Sequence, residues 1–185
     1  MVSTKLIGKL FVSRQKEIDR YAKETEAIQE HVFRKLIQTA AATEWGKKYN
    51  YANIRTYTDF QRVPIQQYDD VKGYVDRMRH GEKNILWPGQ VVWYAKSSGT
   101  TNDKSKFIPV SKDGLRHIHY KGGTDAVALY LRSNPQSNFF SGKGLILGGS
   151  HSPNYNLKDS LVGDLSAILI PVSYTHLTLP TTPYV

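Results

Sequence analysis

Apolar residues in the first quarter of the chain recur at spacings of three and four, which is the period of an amphipathic helix. No proline or glycine interrupts this pattern between residues 14 and 44. The apolar stripe consists of Ile18, Tyr21, Thr25, Ile28, Val32 and Leu36. The pattern predicts a helix over residues 14–44 that packs its apolar face on its own domain, followed by an irregular, tyrosine-rich segment over residues 46–63.

Two further helices are expected later in the chain. The first covers residues 68–79, and its inward-facing positions are Val71, Val75 and Met78. The second begins after Ser111, whose hydroxyl can accept a backbone N–H from the first helical turn. The glycine pair Gly122-Gly123 is expected to bend or break this second helix.

Short apolar runs between these helices predict buried strands. They lie at residues 91–95, 106–110, 145–147 and 165–170. Because helices and strands alternate along the chain, the sequence predicts an α/β fold in which helices flank a mixed sheet.

The stretch between the first two predicted strands is the part of the chain with the clearest chemistry. It carries small and hydroxylated residues in an unbroken row: Ser97, Ser98, Gly99, Thr100 and Thr101. Gly99 allows backbone conformations that other residues avoid, and successive backbone N–H groups can form an anion-binding nest. Lys104 and Lys106 add positive charge. These features predict a loop between two strands that can wrap a polyphosphate.

A plain solvated hairpin loop is the alternative, because Ser, Thr, Asn, Asp and Gly dominate loops generally. The loop is not a Walker A motif, which needs G-x-x-x-x-G-K-[ST] leading into a helix. Here the element after the loop is predicted to be a strand.

Composition and charge limit the possible functions of the chain. Its 185 residues are 39% hydrophobic and carry a formal net charge of +9, which suits an anionic ligand such as a nucleotide. Nucleic acid is not expected as a partner, because the basic residues are scattered and no recognition motif is found. A solvated basic surface is the default interpretation for most of these residues.

The absence of cysteine excludes disulfides, thiolate catalysis and cysteine-ligated zinc. The six histidines lack the H-E-x-x-H spacing, so no metal site made by protein ligands alone is expected. No run of about 18 apolar residues is present, so no membrane association is expected, and a cytoplasmic location follows by default.

The order Ser-Ser-Gly-Thr-Thr with a lysine nearby resembles the phosphate-binding signature of adenylate-forming enzymes. Together with Phe-Ile-Pro-Val after it, the run is similar to that of the auxin-responsive acyl-acid amido-synthetase family, the Gretchen Hagen family, which includes bacterial-type members. The resemblance covers roughly residues 14–171. Further segments that carry it are 61–70, 81–88, 142–151 and 163–168.

This resemblance implies that the chain is the N-terminal part of an adenylate-forming large domain and uses ATP and Mg²⁺. Its substrates would be a small carboxylic acid, activated as an acyl-adenylate, and an amino acid that receives the acyl group. The resemblance assigns ATP binding to the loop Ser97, Ser98, Gly99, Thr100 and Thr101, and a catalytic role to Lys106. The family's later nucleotide-binding motifs and its C-terminal domain are missing here, so this chain alone is expected to be inactive.

Other functions stay open. An acyl-CoA ligase would use the same loop chemistry with a different acceptor, and a non-catalytic nucleotide-binding module or a basic nucleic-acid-binding protein would need no catalysis. The turn Gly148–His151 could line an acyl pocket or be a tight turn that needs glycine. Asp164 could bind a cation, although a lone Asp in a turn is usually a local hydrogen-bond acceptor.

The end of the chain differs in composition from the rest. Residues 172–185 contain no Lys, Arg, Asp, Glu or Gly, and they resemble a translated sequencing adapter. We expect residues 1–171 to be an incomplete N-terminal domain and residues 172–185 to be a non-native tail. The alternative is a genuine polar β-strand, because Thr, Tyr and Val favour strands.

Overall fold

The structure is a computed structural model that describes residues 11–97, 106–141 and 148–169. Its helices in chain order are α1 (Val12–Lys23), α2 (Thr25–Ala40), α3 (Glu44–Lys48), α4 (Tyr57–Phe60), α5 (Tyr68–Arg79), α6 (Lys112–Gly114), α7 (Lys121–Ser133) and α8 (Leu165–Leu169). A π-helical turn, Leu115–Tyr120, joins α6 to α7, and 3₁₀ turns occur at Tyr51–Asn53 and Pro153–Tyr155. The strands are β1 (Trp93–Lys96), β2 (Phe107–Val110) and β3 (Leu161–Gly163).

The three strands form one mixed sheet in the order β2-β1-β3. β2 runs antiparallel to β1, with Lys96 opposite Phe107, and β3 runs parallel to β1, with Tyr94 opposite Val162. The mixed sheet with flanking helices confirms the predicted α/β fold class.

Each face of the sheet is covered by its own apolar cluster. Alternation along a strand sends neighbouring side chains to opposite faces, so Tyr94 and Ala95 belong to different clusters. On one face, residues of α5 and its following loop meet the sheet; this cluster consists of Val75, Met78, Ile85, Val91, Tyr94 and Val162. On the other face, α8 packs against the sheet through Ile168, which contacts Ala95 and Val110. The central strand β1 is therefore covered on both faces, and it leads into the candidate loop.

The helix predicted over residues 14–44 is interrupted. Glu24 leaves helical geometry at φ −121° and ψ 32°, and it separates α1 from α2. The hydroxyl of Thr25 donates to the carbonyl of Tyr21 at 2.6 Å, and such back-bonding bends helices. The second helix ends at Ala40, where the buried Thr43 donates its hydroxyl to the Ala40 carbonyl and caps α3.

The prediction of a strand over residues 165–170 is wrong, because residues 165–169 form α8. A short apolar run fits a buried strand and a buried helix equally well. The backbone N–H of Ile168 donates to the carbonyl of Asp164 at 3.1 Å, so the helical turn starts at the polar residue before the run. The strand that pairs with β1 lies just before it, at β3.

Other predicted elements agree with the structure. The helix over residues 68–79 is confirmed as α5, with Val75 and Met78 buried and Val71 half-buried. Ser111 caps α6 by accepting the N–H of Gly114 at 3.0 Å. The glycine pair does not break the following helix, because α7 continues through it; the irregular π turn precedes it.

The strand predicted at residues 145–147 and the tail 172–185 lie outside the described residues. Within residues 11–97, 106–141 and 148–169, no helix has the length and apolar character needed to span a membrane.

Candidate functional site

The candidate site lies where β1 and β2 lead into and out of the hydroxyl-rich loop. Ser97 follows β1 directly and Lys106 precedes β2 directly. The N–H of Ser97 donates to the carbonyl of Lys106 at 3.0 Å, and the N–H of Lys106 donates to the Ser97 hydroxyl oxygen at 3.1 Å. The prediction that the loop joins two strands is confirmed by the antiparallel pairing of β1 and β2.

The structure therefore brings together the first and last of the predicted site residues. The residues between them, Ser98, Gly99, Thr100, Thr101 and Lys104, lie outside the described part of the chain. Their contribution to phosphate binding remains a prediction.

The side chain of Lys106 is exposed and lies beside an aromatic ring. Its ammonium nitrogen is 5.4 Å from the centre of the Tyr68 ring, a distance that allows a cation–π attraction. The Tyr68 hydroxyl accepts the N–H of Phe107 at 2.9 Å and lies 3.5 Å from the carbonyl oxygen of the same residue. Tyr68 is the first residue of α5, so the start of that helix lies along β2 on the side away from β1, beside the lysine.

Two more cations gather beside the same hairpin. The ammonium of Lys96 lies 4.0 Å from the centre of the Tyr155 ring, and the guanidinium carbon of Arg79 lies 3.8 Å from the centre of the Phe107 ring. Arg79 also donates to the backbone carbonyl of Tyr155 at 2.7 Å. Within the described ranges, none of the carboxylates forms an ion pair with Arg79, Lys96 or Lys106. Positive charge that no carboxylate of the described residues pairs with favours an anionic ligand at this end of the sheet.

Four residues beside the hairpin were not predicted from the sequence as site residues: Tyr68, Arg79, Lys96 and Tyr155. Lys96 directly precedes the hydroxyl motif, and this adjacency was the only sequence signal that could have included it. The other three come from α5 and from the turn after residue 152, and only the folded chain brings them to the hairpin.

The turn Gly148–His151 packs against the residues that follow β3. The carboxylate of Asp164 accepts the N–H of Ser150 at 2.9 Å, and the hydroxyl of Ser166 accepts the N–H of Gly149 at 2.8 Å. Asp164 thus acts as a local hydrogen-bond acceptor. A side chain at position 149 would collide with Asp164, which explains the glycine there.

The His151 ring completes this second turn at the sheet. Its centre lies 5.5 Å from that of the Trp93 ring, on the face of the sheet that α8 covers. Both Lys106 and the turn Gly148–His151 therefore lie next to β1 or the residue that follows it, and the candidate loop begins at the end of this strand.

Comparison with known proteins adds an independent finding. Residues 14–181 match the family described as "GH3 family N-terminal domain". This match extends beyond residue 171 into the segment that was expected to be a non-native tail, whose origin remains a prediction.

Curated relatives are plant amido synthetases. The chain is 29% identical over 124 residues to indole-3-acetic acid-amido synthetase GH3.8 of Oryza sativa subsp. indica, covering 65% of this chain and 20% of that protein. It is 25% identical over 99 residues to jasmonoyl–L-amino acid synthetase JAR4 of Nicotiana attenuata, covering 52% and 17% of the two chains. It is 24% identical over 107 residues to 4-substituted benzoates-glutamate ligase GH3.12 of Arabidopsis thaliana, covering 57% and 19%. The chain thus spans about a fifth of the length of these relatives.

Among solved structures, the fold is similar to that of the GH3.15 acyl acid amido synthetase. The TM-score is 0.69 at 18% identity, and the match covers 91% of this chain and 29% of that chain. At this identity the similarity shows a shared fold.

Proposed function

The chain belongs to the GH3 family, and from this membership we propose that it forms the phosphate-binding part of an ATP-dependent acyl-acid amido synthetase. Such an enzyme activates a small carboxylic acid as an acyl-adenylate and transfers the acyl group to an amino acid. The relatives' names support this reaction class, because each describes an amido synthetase, an amino acid synthetase or a ligase that uses glutamate. The observation that carries the proposal is the closure of the hydroxyl loop by Ser97 and Lys106.

In the first step a carboxylate oxygen of the acid attacks the α-phosphorus of ATP, and the bond to pyrophosphate breaks. Negative charge grows on the phosphate oxygens and on the leaving pyrophosphate during this step. Fixed donors and cations at those oxygens lower the barrier, since they need no reorganisation as the charge develops. We propose that Lys106 supplies one such cation, and that Ser97, Ser98, Thr100 and Thr101 supply hydroxyl and backbone donors.

The charges around the hairpin fit a nucleotide triphosphate. Arg79, Lys96 and Lys106 lie on or beside the two strands, and the described residues place no carboxylate in an ion pair with any of them. Polyphosphate would replace water at these cations with charge-assisted hydrogen bonds. We therefore propose that the loop and these flanking residues hold ATP.

Magnesium is proposed to enter with the nucleotide. In the described ranges no three His, Asp or Glu side chains gather in a way that could hold a metal ion. Mg²⁺ in nucleotide sites usually keeps several waters and is bound through substrate phosphates and one or two carboxylates. When bound, it would share the neutralisation of phosphate charge with Lys106.

In the second step the amine of an amino acid attacks the acyl carbon, an amide forms, the amine nitrogen gives up a proton to water, and AMP leaves with the electrons of its bond to the acyl carbon. We propose that the turn Gly148–His151 lines the acyl pocket, because its His151 ring packs on Trp93, the first residue of β1. We expect no turnover from these 185 residues alone, because they correspond to about a fifth of each curated relative. A cytoplasmic site of action is part of the proposal.

ATP–pyrophosphate exchange in the full-length protein tests the function. Exchange that depends on an added small carboxylic acid is expected, and its absence across indole, benzoate and fatty-acid classes would overturn the proposal. Product analysis with an amino-acid mixture against coenzyme A then identifies the acceptor. An amide product is expected, whereas a thioester product would make the protein an acyl-CoA ligase.

A further inference from the structure

We propose that Tyr68 is a positioning residue for Lys106, holding the lysine and its backbone in the orientation that phosphate binding requires. This inference rests on the proposed function of Lys106. It concerns a residue 38 positions away in the chain, which lies outside the hydroxyl-rich loop.

The first contact is with the backbone. Phe107 directly follows Lys106, and the Tyr68 hydroxyl accepts the Phe107 N–H at 2.9 Å while lying 3.5 Å from the Phe107 carbonyl oxygen. In an antiparallel pair, the backbone groups of successive residues point alternately toward and away from the partner strand. The groups of Phe107 point away from β1, and among the described strands β2 lies at the edge of the sheet. On that side the Tyr68 hydroxyl bonds the Phe107 backbone, as a neighbouring strand would.

The second contact is with the lysine itself. The Lys106 ammonium lies 5.4 Å from the centre of the Tyr68 ring, so the residue that fixes the backbone also attracts the charged end of the side chain. An exposed lysine otherwise samples many rotamers, and restricting them before the ligand arrives reduces the entropy lost on binding.

The third observation concerns the other edge of β2, the edge that faces β1. Ser97 holds the N–H and the carbonyl of Lys106 from the β1 side, at 3.1 Å and 3.0 Å. Residues 106 and 107 are therefore bound from both edges of β2, by Ser97 and by Tyr68. A small displacement of a catalytic group strongly reduces the reaction rate. Hydrogen bonds on both edges of β2 therefore matter for the position of the lysine relative to the phosphates.

A matched control is available on the same helix. Tyr74 also lies on α5, and its hydroxyl accepts a hydrogen bond from the Lys48 ammonium at 3.0 Å, with that nitrogen 5.2 Å from its ring centre. Y74F therefore removes a tyrosine hydroxyl from the same helix, one that bonds Lys48 of α3 and not the backbone of β2. It is expected to leave exchange kinetics unchanged.

The test is a double-mutant cycle in the full-length protein, with kcat/KM for ATP in pyrophosphate exchange as the readout. Y68F is expected to lower it about 3- to 10-fold, which corresponds to the loss of one ordinary hydrogen bond. In the K106A background, Y68F is expected to lower it by less than about twofold, because a positioning residue acts only through the residue it positions.

An equal effect of Y68F in both backgrounds would show a purely structural role and overturn the inference, as would Y68F with wild-type kinetics. Thermal unfolding of each variant accompanies the cycle. If Y68F does not fold, Y68W takes its place, because tryptophan keeps an aromatic face but offers no oxygen to the Phe107 N–H. If K106A has the same kinetics as the wild type, or if the protein shows no acid-dependent exchange, the proposed function is wrong. The inference about Tyr68 is then wrong as well, because it rests on the role of Lys106.

Discussion

The hydroxyl oxygen of Ser97 accepts the backbone N–H of Lys106 at 3.1 Å, at a point where an antiparallel ladder would use the backbone carbonyl of residue 97. The reciprocal bond, from the Ser97 N–H to the Lys106 carbonyl, is an ordinary ladder bond of 3.0 Å. The Ser97 side chain thus makes the last hydrogen bond of the β1–β2 ladder, and both ends of the loop are held together at this point.

Replacing Ser97 with Ala is expected to weaken the pairing of residues 97 and 106 at the ends of the loop. The Lys106 amide loses its acceptor, and a lost hydrogen bond of this kind costs about 0.5–1.5 kcal/mol. Amide hydrogen exchange at Lys106 should accelerate about 2- to 10-fold. Ser97→Thr keeps a hydroxyl and is the control, which should retain most of the protection. Unchanged exchange in the Ala variant would show that the bond does not hold the loop.

Lys106→Ala in the full-length protein is expected to slow acid-dependent pyrophosphate exchange by about 10²–10³, in line with the loss of one electrostatic donor to a developing negative charge. Its fold should persist because Lys106 is exposed. Lys72→Ala, which removes an exposed lysine from α5, is the matched control and should change the rate little. Equal rates for Lys106→Ala and the wild type, at both limiting and saturating ATP, would remove Lys106 from the site.

Tyr94 is expected to make the protein lose stability at high pH. Its ring is fully buried, its hydroxyl donates to the Val91 carbonyl at 3.1 Å, and burial raises the pKa of Tyr94 to about 12. The unfolded chain ionises this tyrosine near its ordinary pKa of 10.0, while the folded chain still holds the proton. The stabilisation is therefore complete below about pH 10 and is lost as the pH rises toward 12.

The measurement for Tyr94 is the free energy of unfolding from urea denaturation between pH 9 and 12. At about 1.4 kcal/mol for each unit of pKa shift, the loss reaches about 2–3 kcal/mol at the upper end. Tyr94→Phe should flatten that part of the profile. A profile of the same slope in wild type and Tyr94→Phe would contradict the assignment.

Met78→Ala is expected to destabilise the fold by about 2–5 kcal/mol, because it leaves a cavity beneath β1. Met78 is 1% exposed and packs in the cluster that includes Val75 and Tyr94. Ile65 is 92% exposed, so Ile65→Ala removes an apolar side chain without a cavity and should stay within about 0.5 kcal/mol of the wild type. Equal midpoints of thermal unfolding for the two variants would show that α5 does not build this core.

Several features could be predicted from local sequence because their causes lie within a few residues. The 3.6-residue period of α5 predicted both of its ends and two of its buried positions, Val75 and Met78. The hydroxyl of Ser111 predicted a helix start. Apolar runs on both sides of the hydroxyl motif predicted the hairpin, and the order of residues in the motif indicated the family that residues 14–181 match.

The remaining features depended on tertiary structure. The apolar run at 165–169 could be buried as a strand or as a helix. Because β3 occupies the place beside β1, the run packs across the sheet as α8. Tyr68 and Lys106 are distant in sequence, and they meet only because α5 packs across one face of the sheet and begins beside β2. A periodic pattern specifies which face of an element is apolar, but it does not specify which distant element that face meets. Local sequence therefore determined the loop and its chemistry, while long-range packing decided which residues surround it.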